Sequence, residues 1–112
     1  MIKIKRIYEA RSASDGYRIL VDRLWPRGMK KENANINMWM KEIAPSADLR
    51  KWFSHDPEKW KSFLLKYRDE LEHSPWFAEL KSLTEKHKVI TLLYGSRDEQ
   101  YNQAVALKSF LP

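Results

Sequence analysis

No cysteine occurs among the 112 residues. Its absence excludes a disulfide framework, a thiol nucleophile and any zinc site built on thiolates. Histidine is scarce: His55, His73 and His87 are the whole set, and none stands at a metal-ligand spacing such as His-x-x-x-His. There is no phosphate-loop pattern, no repeat, no low-complexity stretch and no linker. No apolar run approaches the roughly 20 residues that a membrane span needs. Met1–Ile7 alternates isoleucine with lysine or arginine, which is unlike a signal peptide. These absences lead us to expect a cytoplasmic protein without a membrane partner, a cofactor or a bound metal.

What is present is positive charge. Twenty-one Lys and Arg stand against fifteen Asp and Glu, for a net charge of +6. Such an excess draws anionic partners through long-range steering, although lysines on helix faces also serve solubility. A chain of this length builds one core, so residues 1–112 are read as a single domain.

Periodicity supplies the elements. Ile2, Ile4 and Ile7 alternate with basic residues as in a half-buried strand, and Tyr17–Asp22 is a second strand. Ile36, Trp39, Met40 and Ile43 fall at i, i+3, i+4 and i+7, which predicts a short helix stopped by Pro45. Ser46 caps a following turn with Leu49, Trp52 and Phe53 facing inward. Asp56-Pro57 opens a helix to about Glu72 whose core stripe is Trp60, Phe63, Leu64, Tyr67 and Leu71. Ser74-Pro75 opens another, carrying Trp76, Leu80 and Leu83. Lys88–Tyr94 holds an apolar run typical of a strand buried on both faces. Ser96-x-x-Glu99 reads as a capping box that starts a last helix toward Phe110.

Three apolar strands with intervening helices imply an α/β domain: a small, mostly parallel sheet of about three or more strands flanked by helices in a Rossmann-like, three-layer arrangement. In an open parallel sheet, ligands bind beyond the carboxyl ends of the strands. Two loops leave such ends here, Asp22–Lys31 and Tyr94–Asp98, so their charged residues are expected to converge.

The chain resembles the DUF488 family, in its short YeaO-like type, over essentially its whole length. The matching segments include Lys5–Tyr8, Asp15–Leu20, Val21–Gly28, Ala44-Pro45-Ser46, Leu49–Phe53, His55-Asp56-Pro57, Tyr67–Leu71 and Thr91–Tyr94. The resemblance implies a fold and a candidate site but no particular activity. It also exposes a departure. Members of this type often carry His-Asn-His-Ala where this chain has Tyr101-Asn102-Gln103-Ala104, so both imidazoles are missing and the weight shifts to arginine.

The candidate site residues follow. Arg23 and Arg27 flank Trp25-Pro26, and two planar guanidinium groups suit a clamp on phosphate or carboxylate. Gly28 permits close backbone approach by a ligand. Trp25 is read as packing. Asp22, His55 and Asp98 are candidates for proton transfer. Ser96 and Arg97 stand at a helix start, a natural anion site, and Asn102 shares a helix face with Asp98. Arg50 is a further candidate for holding an anion. Glu70 is read as a partner of Arg23 or Arg50. Together these residues suggest a metal-free, arginine-rich pocket for a small phosphorylated or nucleotide-like anion, with the reaction open. The alternatives are a nucleic-acid-binding module that uses the basic surface, without any recognised nucleic-acid motif, and a non-catalytic interaction protein whose charges form a structural network.

Overall fold

The computed structural model describes residues 1–112. Four parallel strands form one sheet: β1 (Ile2–Arg6), β2 (Tyr17–Leu20), β3 (Met38–Trp39) and β4 (Ile90–Tyr94), in the order β1-β4-β2-β3. Five helices accompany them: α1 (Lys31–Ala34), α2 (Ala47–Phe53), α3 (Trp60–Leu71), α4 (Pro75–Lys86) and α5 (Gln103–Phe110). This is the parallel α/β architecture expected from the apolar runs. Every residue of β4 is buried, because it lies between β1 and β2 with both edges paired. Leu92 aligns with Ile4 on one side and Ile19 on the other.

Alternation along the strands divides the core in two. Ile19, Val21, Ile90, Leu92 and Tyr94 join Leu49, Phe53, Phe63, Tyr67, Leu80 and Leu107 of α2–α5 in a cluster of 17 buried residues. The opposite parity, Leu20 and Leu93 with Ile7 and Ala34, forms a cluster of four, roofed by Trp25, Met29, Ile36 and Trp39. The two covering layers are therefore unequal. One contains four helices, and the other is the four-residue α1 plus loops.

On this thinner side Arg18 is almost wholly buried. Its guanidinium donates to the Asp15 carboxylate, to Ala34 O at 3.0 Å and to Asn35 O at 2.8 Å. Lys5 reaches the same carboxylate at 3.2 Å. A buried charge is tolerated only when it is paired and hydrogen-bonded in this way.

Two elements and one side chain differ from the sequence reading. The predicted helix over Ile36–Ile43 is instead β3 followed by a short 3-10 turn at Lys41–Ile43. Backbone bonds from Asn37 N to Arg18 O and from Met40 N to Leu20 O add this segment to the open edge of β2, and an isolated helix so short would be marginal. The last helix begins at Gln103, not at the Ser96-x-x-Glu99 box, because the Asn102 side chain accepts from Val105 N at 3.0 Å and caps it there. Trp52, expected to face inward, is 37% exposed, and Trp76 of α4 is 38% exposed. The Trp52 ring lies 5.2 Å from the Lys59 ammonium and 5.0 Å from that of Lys66, and Phe77 supplies the contact to the core beside Trp76.

Candidate functional site

The chain leaving β2 and the chain leaving β4 open onto one cavity of about 280 Å³, near the lower end of the roughly 300–1,000 Å³ usual for small-molecule sites. One wall is Asp22, Arg23 and Leu24 beyond β2. Ala44, Pro45, Arg50, Phe53 and Phe63 come from the helical side, His55 from the turn after α2, Ser96, Tyr101 and Asn102 from the β4–α5 connection, and Gln103 from the first position of α5.

Asp22 joins the two strand ends. Its Oδ2 accepts from Gly95 N at 2.8 Å and its Oδ1 from the Gln103 amide. Its backbone carbonyl accepts from the Trp39 indole at 2.7 Å. A Cβ on residue 95 would stand 2.9 Å from Asp22 Oδ2, so glycine is what lets the carboxylate settle on that N–H. Burial pushes the Asp22 carboxyl up to about 6, against the opposing pull of the Gly95 and Gln103 bonds and of the Arg50 charge.

The two cavity arginines differ. Arg23 Nη2 donates to Ala44 O at 2.9 Å and to Pro45 O at 3.3 Å, so one edge of the guanidinium braces the segment before α2. Its Nε is buried without a partner. Arg50 is exposed on α2, and its guanidinium makes no hydrogen bond within the protein, although its backbone N–H and carbonyl serve the helix. The only ion pairs within 4.0 Å anywhere in the chain are Lys5–Asp15 and Arg18–Asp15, so neither cavity arginine has a carboxylate at salt-bridge distance. Glu70, read from the sequence as an arginine partner, instead accepts from Ser46 N at 3.0 Å and from the Ser46 hydroxyl.

His55 reaches the cavity because the chain reverses sharply after α2. Ser54 and His55 have φ of 47° and 55°, a left-handed conformation that side-chain-bearing residues seldom adopt in succession. Asn102 lines the cavity, but its amide is already engaged: Oδ1 caps α5 and Nδ2 donates to Asp98 O at 2.8 Å. Ser96 Oγ accepts from Asp98 N at 3.1 Å.

Six of the ten sequence-derived candidates thus meet in one place: Asp22, Arg23, Arg50, His55, Ser96 and Asn102. Arg27, Gly28, Arg97 and Asp98 do not line it. Arg27 is exposed, and its carbonyl accepts the Tyr8 hydroxyl at 2.7 Å. The Trp25-Pro26 turn directs Trp25 edge-on against Trp39, 5.3 Å between centroids, and carries Arg27 away. The arginine paired with Arg23 across the cavity wall is therefore Arg50. Gly28, at φ 76° with open space where a Cβ would stand, serves the turn rather than a close approach. Asp98 Oδ1 accepts from Gln100 N and Tyr101 N, both at 3.0 Å, which makes it a loop cap.

Two contributors escaped the sequence reading. Gln103 stood out only as a missing histidine, yet it holds Asp22. Arg6 lies on β1, outside the cavity, and donates to Ser96 O at 2.8 Å and Gly95 O at 3.0 Å; a basic strand residue gives no sequence signal for fixing a loop about ninety positions away.

Comparison with known proteins identifies the family. Residues 1–112 match the family model described as the inactive DUF488-N3 subclade. The uncharacterised protein YeaO of Escherichia coli (strain K12) is 41% identical over 111 residues, covering 98% of this chain and 96% of that protein. An uncharacterised protein of Mycobacterium tuberculosis (strain ATCC 25618 / H37Rv) is 37% identical over 110 residues, covering 98% and 92%. No solved structure matches the chain significantly. The chain belongs to the DUF488 family, in the subclade described as inactive DUF488-N3.

Proposed function

We propose that this protein binds a small oxyanion, a phosphate ester or nucleotide-like molecule, without turning it over. The observation that carries this reading is the pair of guanidinium groups on one small cavity, Arg23 braced and Arg50 free, neither paired with an acid. Such groups grip phosphate or carboxylate well because their donors lie in a plane and keep their charge. Phe53, Phe63 and Tyr101 offer an apolar wall for the body of the ligand.

Three features favour binding over catalysis. Both oxygens of Asp22 are already engaged by Gly95 and Gln103. The Ser96 hydroxyl is bonded to a backbone N–H instead of a general base. The residue facing Asp22 is Gln103, where the family resemblance places a histidine, and an amide cannot shuttle a proton as imidazole does. The description of the subclade as inactive agrees.

Thermal shift with inorganic phosphate, sugar phosphates and nucleoside monophosphates tests the proposal. A ligand at about 100 times its Kd stabilises by about 2.7 kcal/mol, which should raise Tm by several degrees. Arg50→Ala removes no internal hydrogen bond, so its unliganded Tm should match the wild type while the ligand shift disappears. If no anion moves the wild-type Tm, or if Arg50→Ala keeps the full shift, the cavity is not an anion site.

A further inference from the structure

We infer that Asp22, coupled to Gln103, sets the charge of the anion that the cavity accepts: a monoanion matches the pocket with Asp22 ionised, whereas a dianion enters together with one proton that Asp22 takes up. This rests on the anion-binding reading above and adds a ligand class to it.

The charges on the cavity wall do not balance. Arg23 and Arg50 each contribute a permanent positive charge, and Asp22 removes one when ionised. The ionised site therefore has one positive charge to spare. Arg50 is the cation whose field favours the ionised Asp22, adding to the larger effects of the Gly95 and Gln103 bonds. An anion that engages Arg50 neutralises that support and sets a second negative charge beside a half-buried carboxylate. Like charges brought together in a desolvated site favour protonation of one of them. A doubly charged ligand does this more strongly than a singly charged one.

The partners of Asp22 fit either protonation state. The Gly95 N–H serves Oδ2 in both. Gln103 donates its amide N–H to an ionised Oδ1; after rotation by half a turn the same side chain presents its carbonyl to a protonated Oδ1. The proton comes from solvent, and no bond of the protein is left unmade. A carboxyl already pushed up to about 6 can be carried into the neutral range by a modest further perturbation.

The other titratable or charged groups around Asp22 are few. Arg23 follows it in the chain, Arg50 faces it from α2, His55 comes from the turn after α2, and Tyr101 precedes α5. Arg6 of β1 lies behind the Gly95–Ser96 backbone. Only His55 belongs to a residue type that changes charge near the same pH, so it is the necessary control.

Sulfate and methyl sulfate are suitable probes, since both are tetrahedral oxyanions, one doubly and one singly charged, and neither titrates between pH 5 and 8. Binding of each by calorimetry at constant ionic strength, at pH 7.5 and 5.5, reads the linkage. One coupled proton gives up to about tenfold in affinity per pH unit. We expect wild-type sulfate affinity to rise at least about threefold at pH 5.5, with proton uptake visible in the buffer dependence of the heat, and methyl sulfate to change less. Asp22→Asn should bind sulfate with the low-pH affinity at both pH values, and His55→Gln should retain the wild-type slope. Asn can accept from Gly95 and donate to a rotated Gln103, so this variant keeps its contacts.

Arg50-dependent sulfate binding that does not vary with pH overturns the inference and leaves the anion site standing. A slope that survives in Asp22→Asn and vanishes in His55→Gln assigns the proton to His55 and overturns it as well. Absence of sulfate binding, or binding that survives in Arg50→Ala, removes the anion site and the inference together.

Discussion

Asp15 and Asp22 are both withdrawn from water, yet their carboxyls move in opposite directions. At Asp15 burial acts to raise the carboxyl, but the Ser12 backbone bond, Lys5 and Arg18 outweigh it and hold it below the usual 3.8. At Asp22 burial prevails and the value is about 6. The consequences for stability are opposite. Asp15 adds stability above its unfolded value, and that contribution is lost as pH falls through its folded one. For Asp22 the folded state binds the proton more tightly, so the contribution is present at low pH and is lost as pH rises from about 4 to about 6. The rise from 3.8 to about 6 corresponds to at most about 3 kcal/mol, which partial exposure of the site reduces to about 1–2 kcal/mol. Asp22→Asn should therefore be more stable than the wild type by about 1–2 kcal/mol at pH 7.5, with a smaller gain at pH 4.5. Urea titrations at the two pH values check this; an equal gain at both would mean that the ionised carboxylate costs the fold nothing. A residue that destabilises its own fold at neutral pH is one whose charge has another use.

The elements that place Arg50 depend on caps, and here the sequence was partly readable. Ser46 as the N-cap of α2 follows from its residue type and position, and its Oγ indeed accepts from Leu49 N at 3.1 Å. The second half of that cap was not visible, because Glu70 comes from α3, 24 residues away. The same limit explains Asn102. Both Ser96 and Asn102 are good capping types, and only the Asp98 carboxylate, which gathers the N–H groups of Gln100 and Tyr101 into a turn, decides between them. The β3 segment is the opposite case: its spacing is helical, but the free edge of β2 offers backbone partners that no periodicity records. Ser46→Ala should cost about 1–2 kcal/mol, more than a cap of its type alone, since it also frees Glu70. Glu70→Gln, which keeps an acceptor for Ser46, should cost less. If Ser46→Ala is neutral in equilibrium unfolding, α2 is held by its buried face alone and the cap does not position Arg50.

At the scale of the molecule, the convergence of residues near 22 with residues near 95 follows from a parallel sheet, which delivers all strand ends to one side. What the sequence could not convey is how unevenly the two faces of that sheet are covered. Leu92 and Leu93 are adjacent on β4 and both fully buried, yet Leu92 points into the 17-residue cluster under four helices and Leu93 into the four-residue cluster under Trp25 and Trp39. The cost of deleting a buried side chain depends on how far its surroundings can close the gap. Helices α2–α5 brace one another, whereas the 22–36 segment is mostly loop and can settle inward. Leu92→Ala should therefore cost about 3–5 kcal/mol and Leu93→Ala about 2–3 kcal/mol. The lesser loss should nonetheless reach the site, because Trp39 donates to the Asp22 carbonyl and packs against Trp25 and the cluster that includes Leu93. In Leu93→Ala the near-ultraviolet dichroism of the indoles should weaken and the phosphate-induced rise in Tm should shrink, with helical dichroism unchanged. Should Leu93→Ala prove as costly as Leu92→Ala, or leave the ligand shift intact, the thin face is packed as rigidly as the helical one and does not support the position of Asp22.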